Sequence, residues 1–358
     1  MEIGPIWRAM MRNKTGAILI ALQIAVTMAI MVNAISIMQE RGRMMARPSG
    51  LDESNIFSIS SVGFAETFNE QATIEEDLIA IRALPGVVNA IQSNSMPLSG
   101  GGWSMGLQTE PGEDIEGSSV AVYFVDEHGI DTFGLNLLAG ENFSPTDISW
   151  RGHSDTDWPD KTIITRAMAE ALFPDDPDGA LGKTVYITGD DPLTIIGVVE
   201  QLQAPWNGWD GVERAMLTPN HTLFGATRYI IRAEPGRRDE LMPKVESLLA
   251  ESNKDRIVRS MRTMDEVRER SYRGDSSMIK ILTFTIILLI TITSLGIVGL
   301  ASFSVNRRTK QIGTRRALGA SKVAILRYFM TENFLISLLG VVVGAALTIG
   351  LNILMIDA

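Results

Sequence analysis

The sequence contains no cysteine and only three histidines. Without thiols it has no disulfide framework, no thiol nucleophile and no Cys-based metal site. Neither a Ser-His-Asp triad nor a closed zinc site has a local signature. Internal repeats and low-complexity tracts are missing too. Charge is absent from three long stretches: residues 15–38, 281–305 and 334–356 hold no Asp, Glu, Lys or Arg. Each exceeds the roughly 20 apolar residues needed to cross a bilayer. Overall hydrophobic content is only 45%, too modest for a wholly embedded protein, so the apolar residues are clustered into these spans.

Arg8, Arg12 and Lys14 precede the first run, as they would a secretory signal. A signal core is only about 7 to 15 residues long and ends at a small-residue cleavage site. This run is longer and no such site follows, so it reads as a retained span. Before it, Ile3, Ile6, Trp7, Met10 and Met11 fall on one helical stripe with Arg8 and Arg12 off it. Residues 1–14 therefore read as an amphipathic helix on the cytoplasmic membrane surface.

The formal charge is −10. Residues 1–14 carry +2 and residues 306–358 carry +5, which leaves −17 between them. So acidic a middle excludes nucleic acid as a partner. Between the second and third runs lie Arg307, Arg308, Lys310, Arg315, Arg316, Lys322 and Arg327, with no acid from Val305 to Thr331. Short loops rich in basic residues stay in the cytoplasm. The N-terminus is then cytoplasmic, and residues 39–279 lie outside the cytoplasmic (inner) membrane.

This outer segment alternates strand and helix patterns. Residues 55–62, 161–165, 184–188, 193–199 and 227–232 read as strands. Residues 73–83 read as a helix opened by a Thr73–Glu76 capping box, and 166–173 as a short helix. Residues 237–252 read as a helix with Leu241, Val245, Leu248 and Leu249 on one face. Residues 144–160 and 203–212 read as loops. The fold class is therefore α-helical membrane spans with an inserted extracytoplasmic α+β domain of two lobes.

Three local patterns mislead. Gly179 to Thr184 echoes a phosphate-binding P-loop, but Pro177 stands where the first glycine is needed and a strand follows instead of a helix. Leu98-Ser-Gly-Gly-Gly102 echoes an ATPase signature loop, yet it lies outside the cytoplasm and reads as a tight turn. His153, Asp155, Asp157 and Asp160 offer oxygens for a hard cation, but without the glycine turn or terminal bidentate glutamate such loops use. A solvated acidic loop is the better reading, and nothing argues for catalysis.

The informative segment is Asn306 to Glu332. A basic stretch leaves the membrane, turns at Gly319 and enters a helix capped by Ser321 with Val323, Leu326 and Met330 on one face. Ala317, Leu318 and Ala320 leave an exposed knob that basic residues alone do not explain. This segment resembles the signature of MacB/FtsX-type ABC transporter permeases, R-x-x-E-I-G-x-R-x-A-x-G-A. Arg308, Ile312, Gly313, Arg315, Ala317, Gly319 and Ala320 match, while Gln311 replaces the usual acid. Ala83 to Val87, Leu138 to Phe143, Ala171 to Phe173, Leu181 to Val185 and Ile195 to Val199 resemble pieces of the same family's periplasmic core domain, in order.

The resemblance implies a non-catalytic membrane subunit that transmits motion to its outer domain. A separate ABC ATPase subunit would supply ATP hydrolysis, so this chain needs no cofactor, and ATP and magnesium belong to the partner. The docking loop, residues 306–332, would engage that ATPase through Arg308, Ile312, Gly313, Arg315, Arg316, Ala317, Leu318, Gly319, Ala320 and Ser321. A second permease chain, membrane lipid and an outer adaptor are the other implied partners. Gly340 and Gly344 form a GxxxG pattern suited to close helix packing, either within the permease pair or as ordinary glycines of a membrane helix.

Export or extraction of a peptide, a lipid-linked molecule or an antibiotic-like substrate is the implied task. An FtsX-like regulator of an extracytoplasmic hydrolase is the alternative on the same fold. A membrane sensor would continue into a long cytoplasmic output domain, whereas this chain re-enters the membrane after about 28 residues. The resemblance implies four spans. A fourth helix is either missing from this chain or supplied elsewhere, and truncation is the expectation.

Overall fold

The computed structural model describes residues 14–356, with side chains over residues 15–350. The helix expected over residues 1–14 lies, except for Lys14, outside the described residues. The elements in chain order are α1 (Lys14–Met45), β1 (Ile56–Gly63), α2 (Glu70–Arg82), β2 (Val87–Gln92), β3 (Trp103–Gln108) and β4 (Ser118–Val125). Next come α3 (Gly129–Phe133), β5 (Leu137–Gly140), β6 (Ser149–Gly152), β7 (Lys161–Thr165), α4 (Arg166–Leu172), β8 (Thr184–Ile187) and β9 (Asp191–Val199). The rest are β10 (Ala215–Leu223), β11 (Ala226–Ala233), α5 (Arg238–Ser252), β12 (Arg256–Thr263), α6 (Met264–Ser271), α7 (Arg273–Arg307), α8 (Thr309–Ala317) and α9 (Lys322–Ile356). The described residues divide into a helical unit, which lies within residues 1–46 and 274–358, and a compact α+β unit, Arg47–Arg273.

Among the described residues, three helices are long and apolar enough to cross a membrane: Thr15–Met45, Arg273–Arg307 and Lys322–Gly350. At 1.5 Å per residue, the 35 residues of α7 extend about 52 Å, well beyond a hydrocarbon core of roughly 30 Å. The helices therefore run past the uncharged stretches, and the expected domain limits of 39 and 279 move inward to Arg47 and Arg273. An established helix propagates through polar residues cheaply, and nothing breaks α1 before Pro48. Its polar end is tied to that of α7 by Arg41 Nη1 and Asp275 Oδ1, 2.5 Å apart. Inside the apolar stretch, the Thr27 and Thr293 hydroxyls pair at 2.8 Å. Such a bond between spans spares a polar group from lipid.

The α+β unit has two lobes. In the first, β12-β1-β11-β2 form an antiparallel sheet with β12 at one edge. Phe57, Ile59, Tyr229 and Ile231 project from one face into a core shared with Ile74, Leu78 and Ile81 of α2 and Leu241, Val245 and Leu249 of α5. The second lobe orders its strands β4-β3-β8-β9-β7-β10, and β4 also pairs with β10, so six strands close into a ring. Leu107, Val122, Phe124, Ile164, Ile195 and Met216 are among the residues filling it.

Two local expectations need correction. The helix read as 73–83 begins at Glu70, because Asn69 caps it by accepting the Ala72 N–H at 3.1 Å. Thr73 lies in the first turn and its hydroxyl donates to the Asn69 carbonyl at 2.7 Å. The segment read as a loop at 144–160 contains a 3-10 turn, Pro145–Asp147, and the strand β6, which pairs parallel with the second half of β10. Four residues without alternation carry no strand signal. Only the distant partner makes them one.

Candidate functional site

Only Arg308 separates α7 from the nine-residue α8. Arg315 and Arg316 occupy the last turn of α8, where positive charge complements the exposed carbonyls. Ala320 N–H donates to the Arg315 carbonyl at 3.0 Å and Gly319 N–H to the Arg316 carbonyl at 3.1 Å. This pair of bonds is the Schellman closure of a helix, and it requires a left-handed residue next to the end. Gly319 supplies it, with φ +96. Ser321 then starts α9 by accepting the Ala324 N–H at 3.1 Å. A two-bond turn thus joins two helices with no free slack.

The turn presents Leu318 to solvent, 84% exposed. On α9, Val323, Leu326 and Met330 are also exposed, and their i, i+3, i+7 spacing places them on one face. Lys310, Arg316, Lys322 and Arg327 are exposed around them. An isolated exposed leucine is unremarkable, but an apolar knob continued by an apolar stripe and rimmed by basic residues marks a surface suited to a partner.

The residues of the signature divide into two groups. Gly313, Arg316, Ala317, Leu318, Gly319 and Ser321 are exposed, while Ile312 and Ala320 are half-buried. Arg308 turns inward: its Nη1 donates to Glu332 Oε2 at 2.8 Å, and the Glu332 side chain is 8% exposed. The exposed Arg315 lies 4.7 Å from the centre of the Tyr328 ring, within cation-π range. Arg308 and Arg315 therefore hold α8 against α9. Glu332 was not among the expected site residues. Its only sequence signal is being the first acid after a long basic stretch, at the point where the third apolar run begins.

Gly340 and Gly344 face α1 of the same chain. A Cβ added at Gly340 would come within 2.8 Å of the Ala21 carbonyl oxygen, and one at Gly344 within 2.9 Å of that of Ala25. The glycines let two backbones approach, as small-residue motifs do between membrane helices, and the structure places this contact within one chain. Gly344→Leu should lower stability by about 1–3 kcal/mol through overpacking. The check is a lowered thermal unfolding midpoint of the solubilised chain. Gly350→Leu, whose position has nothing within 4 Å, should leave the midpoint unchanged.

The MacB-like periplasmic core domain family matches residues 17–248, and the FtsX-like permease C-terminal family matches residues 283–357. The macrolide export ATP-binding/permease protein MacB of Escherichia coli K12 is 24% identical over 365 residues, covering 96% of this chain and 51% of that protein. MacB of Chromobacterium violaceum is 28% identical over 229 residues, 61% of this chain and 33% of that protein. The chain thus spans about half the length, or less, of these curated relatives. Among solved structures, the periplasmic region of MacB from Actinobacillus actinomycetemcomitans aligns with a TM-score of 0.39 and 15% identity, over 64% of this chain and 97% of that one. The extracellular domain of the transporter YknZ from Gram-positive bacteria aligns with a TM-score of 0.35 and 18% identity, over 57% and 100%. An extracytoplasmic α+β domain borne on membrane helices, joined to an FtsX-like C-terminal region, places this chain in the family of MacB/FtsX-type ABC transporter permeases.

Proposed function

We propose that this chain couples ATP hydrolysis on a separate ABC ATPase subunit to movement of its outer domain. The observation that carries this reading is the rigid, apolar turn at Leu318 and Gly319. It is closed by two backbone bonds, braced by Arg308 and Glu332, and exposed for docking. A push on this turn is delivered to α8 and then to the continuous α7, which follows α6 of the outer domain after the single residue Tyr272. The uncharged spans support transmission of force over conduction, because ionisable groups within spans usually mark ion or solute paths. Two such chains on two ATPases would form the working unit, with ATP and magnesium held by the ATPases. The substrate would be a peptide, a lipid-linked molecule or an antibiotic-like compound, moved outward or out of the membrane.

Cysteines introduced at Ser154 and Ser321 of this cysteine-free chain test the arrangement. In intact cells with a permeabilised outer membrane, an impermeant maleimide should label the first and spare the second. Purification of the full chain from gently solubilised membranes should recover an ABC ATPase and a second permease chain. Equal labelling at the two positions, or a monomer without ATPase after mild crosslinking, overturns the reading.

A further inference from the structure

We infer that the first lobe of the outer domain binds a phosphate group in a cavity of about 320 Å³ lined by Arg228, Arg262 and Arg270. This inference does not depend on the coupling turn. Strand register builds it. Ser60 lies opposite Arg228 of β11, and Ser58 opposite Arg262 of β12. Alternation sends Phe57, Ile59 and Tyr229 into the core beneath α2 and α5, and sets these serines and arginines on the other face. The Met96–Gly100 turn, the Pro205–Asn207 loop and the end of α6 enclose that face.

The chemistry of the lining is one-sided. Among the described residues no Asp or Glu lines the cavity, although Arg47–Arg273 holds 37 acidic and 19 basic residues. Arg228 donates from Nη1 to the neutral carbonyl of Asn94 at 3.0 Å. Burial, and then the charge of Arg262, hold its pKa below the ordinary guanidinium value. Burying a guanidinium beside a like charge and away from any carboxylate is costly. An anion seated between the two groups removes that cost.

The backbone points to the same place. Leu98, Thr188 and Ser260 are the non-glycine residues with positive φ among those described, at 63, 54 and 58, and Leu98 and Ser260 both line this cavity. Such conformations persist where the surroundings over-determine them, and they cluster at ligand sites. Guanidinium forks and serine hydroxyls match the three acceptor oxygens of a phosphate and its charge of nearly two. A single carboxylate would leave the site with excess positive charge. The phosphate could belong to a soluble solute or to a phosphomonoester lipid headgroup.

Calorimetric titration of inorganic phosphate into the full chain tests the site. The chain is held in phosphatidylcholine nanodiscs and, separately, in discs containing phosphatidic acid. In phosphatidylcholine, saturable binding of about one phosphate per chain is expected, and Arg262→Gln and Arg270→Gln should each weaken it roughly tenfold. Because Arg228→Gln also removes the bond to Asn94, the other two variants carry the test, with unchanged thermal unfolding as their control. Suppression of phosphate binding by phosphatidic acid would assign the site to a headgroup, and persistence to a soluble phosphate. Absence of saturable binding in phosphatidylcholine discs, or undiminished binding in the Arg262→Gln/Arg270→Gln double variant, overturns the proposal.

Discussion

Leu318→Asp should leave the protein folded in the membrane and deprive it of its ATPase. The side chain is already 84% exposed, and exposed substitutions usually shift stability by no more than about 0.5 kcal/mol. In the docked state the carboxylate would be buried without a partner, at a cost of several kcal/mol. Since about 1.4 kcal/mol is a tenfold change in affinity, the association should weaken by roughly a hundredfold or more. Gly319→Val attacks the same turn through its backbone. Nothing lies within 4 Å of an added Cβ, so any effect arises from forcing a β-branched residue to φ +96, a strongly disfavoured conformation. Arg315→Ala removes a contact with Tyr328 worth about 0.5–1 kcal/mol at an exposed site and should do less than either. Co-purification of the ATPase and stimulation of its hydrolysis read all three. Wild-type values in both Leu318→Asp and Gly319→Val would remove this turn as the coupling element.

Asp77→Ala should be the most damaging single change in the outer domain. Asp77 on α2 receives both terminal nitrogens of Arg256 on β12, with Nη2 to Oδ1 at 2.9 Å, and the Tyr229 hydroxyl of β11 donates to Oδ2 at 2.5 Å. The side chains of Arg256 and Asp77 are 0% and 2% exposed. Burial, and then the Asp77 charge, hold the Tyr229 phenol far above its ordinary pKa, so it remains a donor. Removing one partner of a buried pair costs about 3–5 kcal/mol, because the other charge is stranded. A domain has only about 5–15 kcal/mol of stability to lose. Residues 47–273 form a compact unit with their own cores, and the excised unit should unfold cooperatively in urea. Asp77→Ala should lower its midpoint sharply or prevent folding, and Arg256→Met added to it should restore much of the loss. A double variant as unstable as the single one would show that the charge is not the cause.

What the sequence revealed and concealed follows from the range of each interaction. The spans were legible because missing charge over a long run has few other causes. Lys161–Thr165, with its succeeding helix, was legible because a short run rich in β-branched residues is a local signal. β10 was not, since Pro219 argues against a strand. In the structure Pro219 marks the hand-over between partners: pairing with β4 ends there and pairing with β6 starts at Asn220. The capping pattern at Thr73 and Glu76 was a true pattern in the wrong place, because Asn69 competes better for the first free amides. In the coupling segment, the turn at Gly319 and the cap at Ser321 were local and readable. The inward turn of Arg308 was not, since the sign of a charge does not reveal a partner 24 residues away. Likewise, the arginines of the phosphate cavity meet only through the register of β1 with β11 and β12.

The first lobe has an open flank at β12. Copies tethered in one membrane meet at high effective concentration, so an unguarded strand there would invite neighbouring sheets to join edge to edge. β12 resists this in two ways. Arg259 projects charge from it, and the register shifts where Arg262 and Arg259 lie opposite Ser58 and Ser60, with Ser260 between them at φ 58. A bulged, cationic border is a poor template for strand addition. Edge-to-edge joining of neighbouring outer domains through β12 is thereby disfavoured.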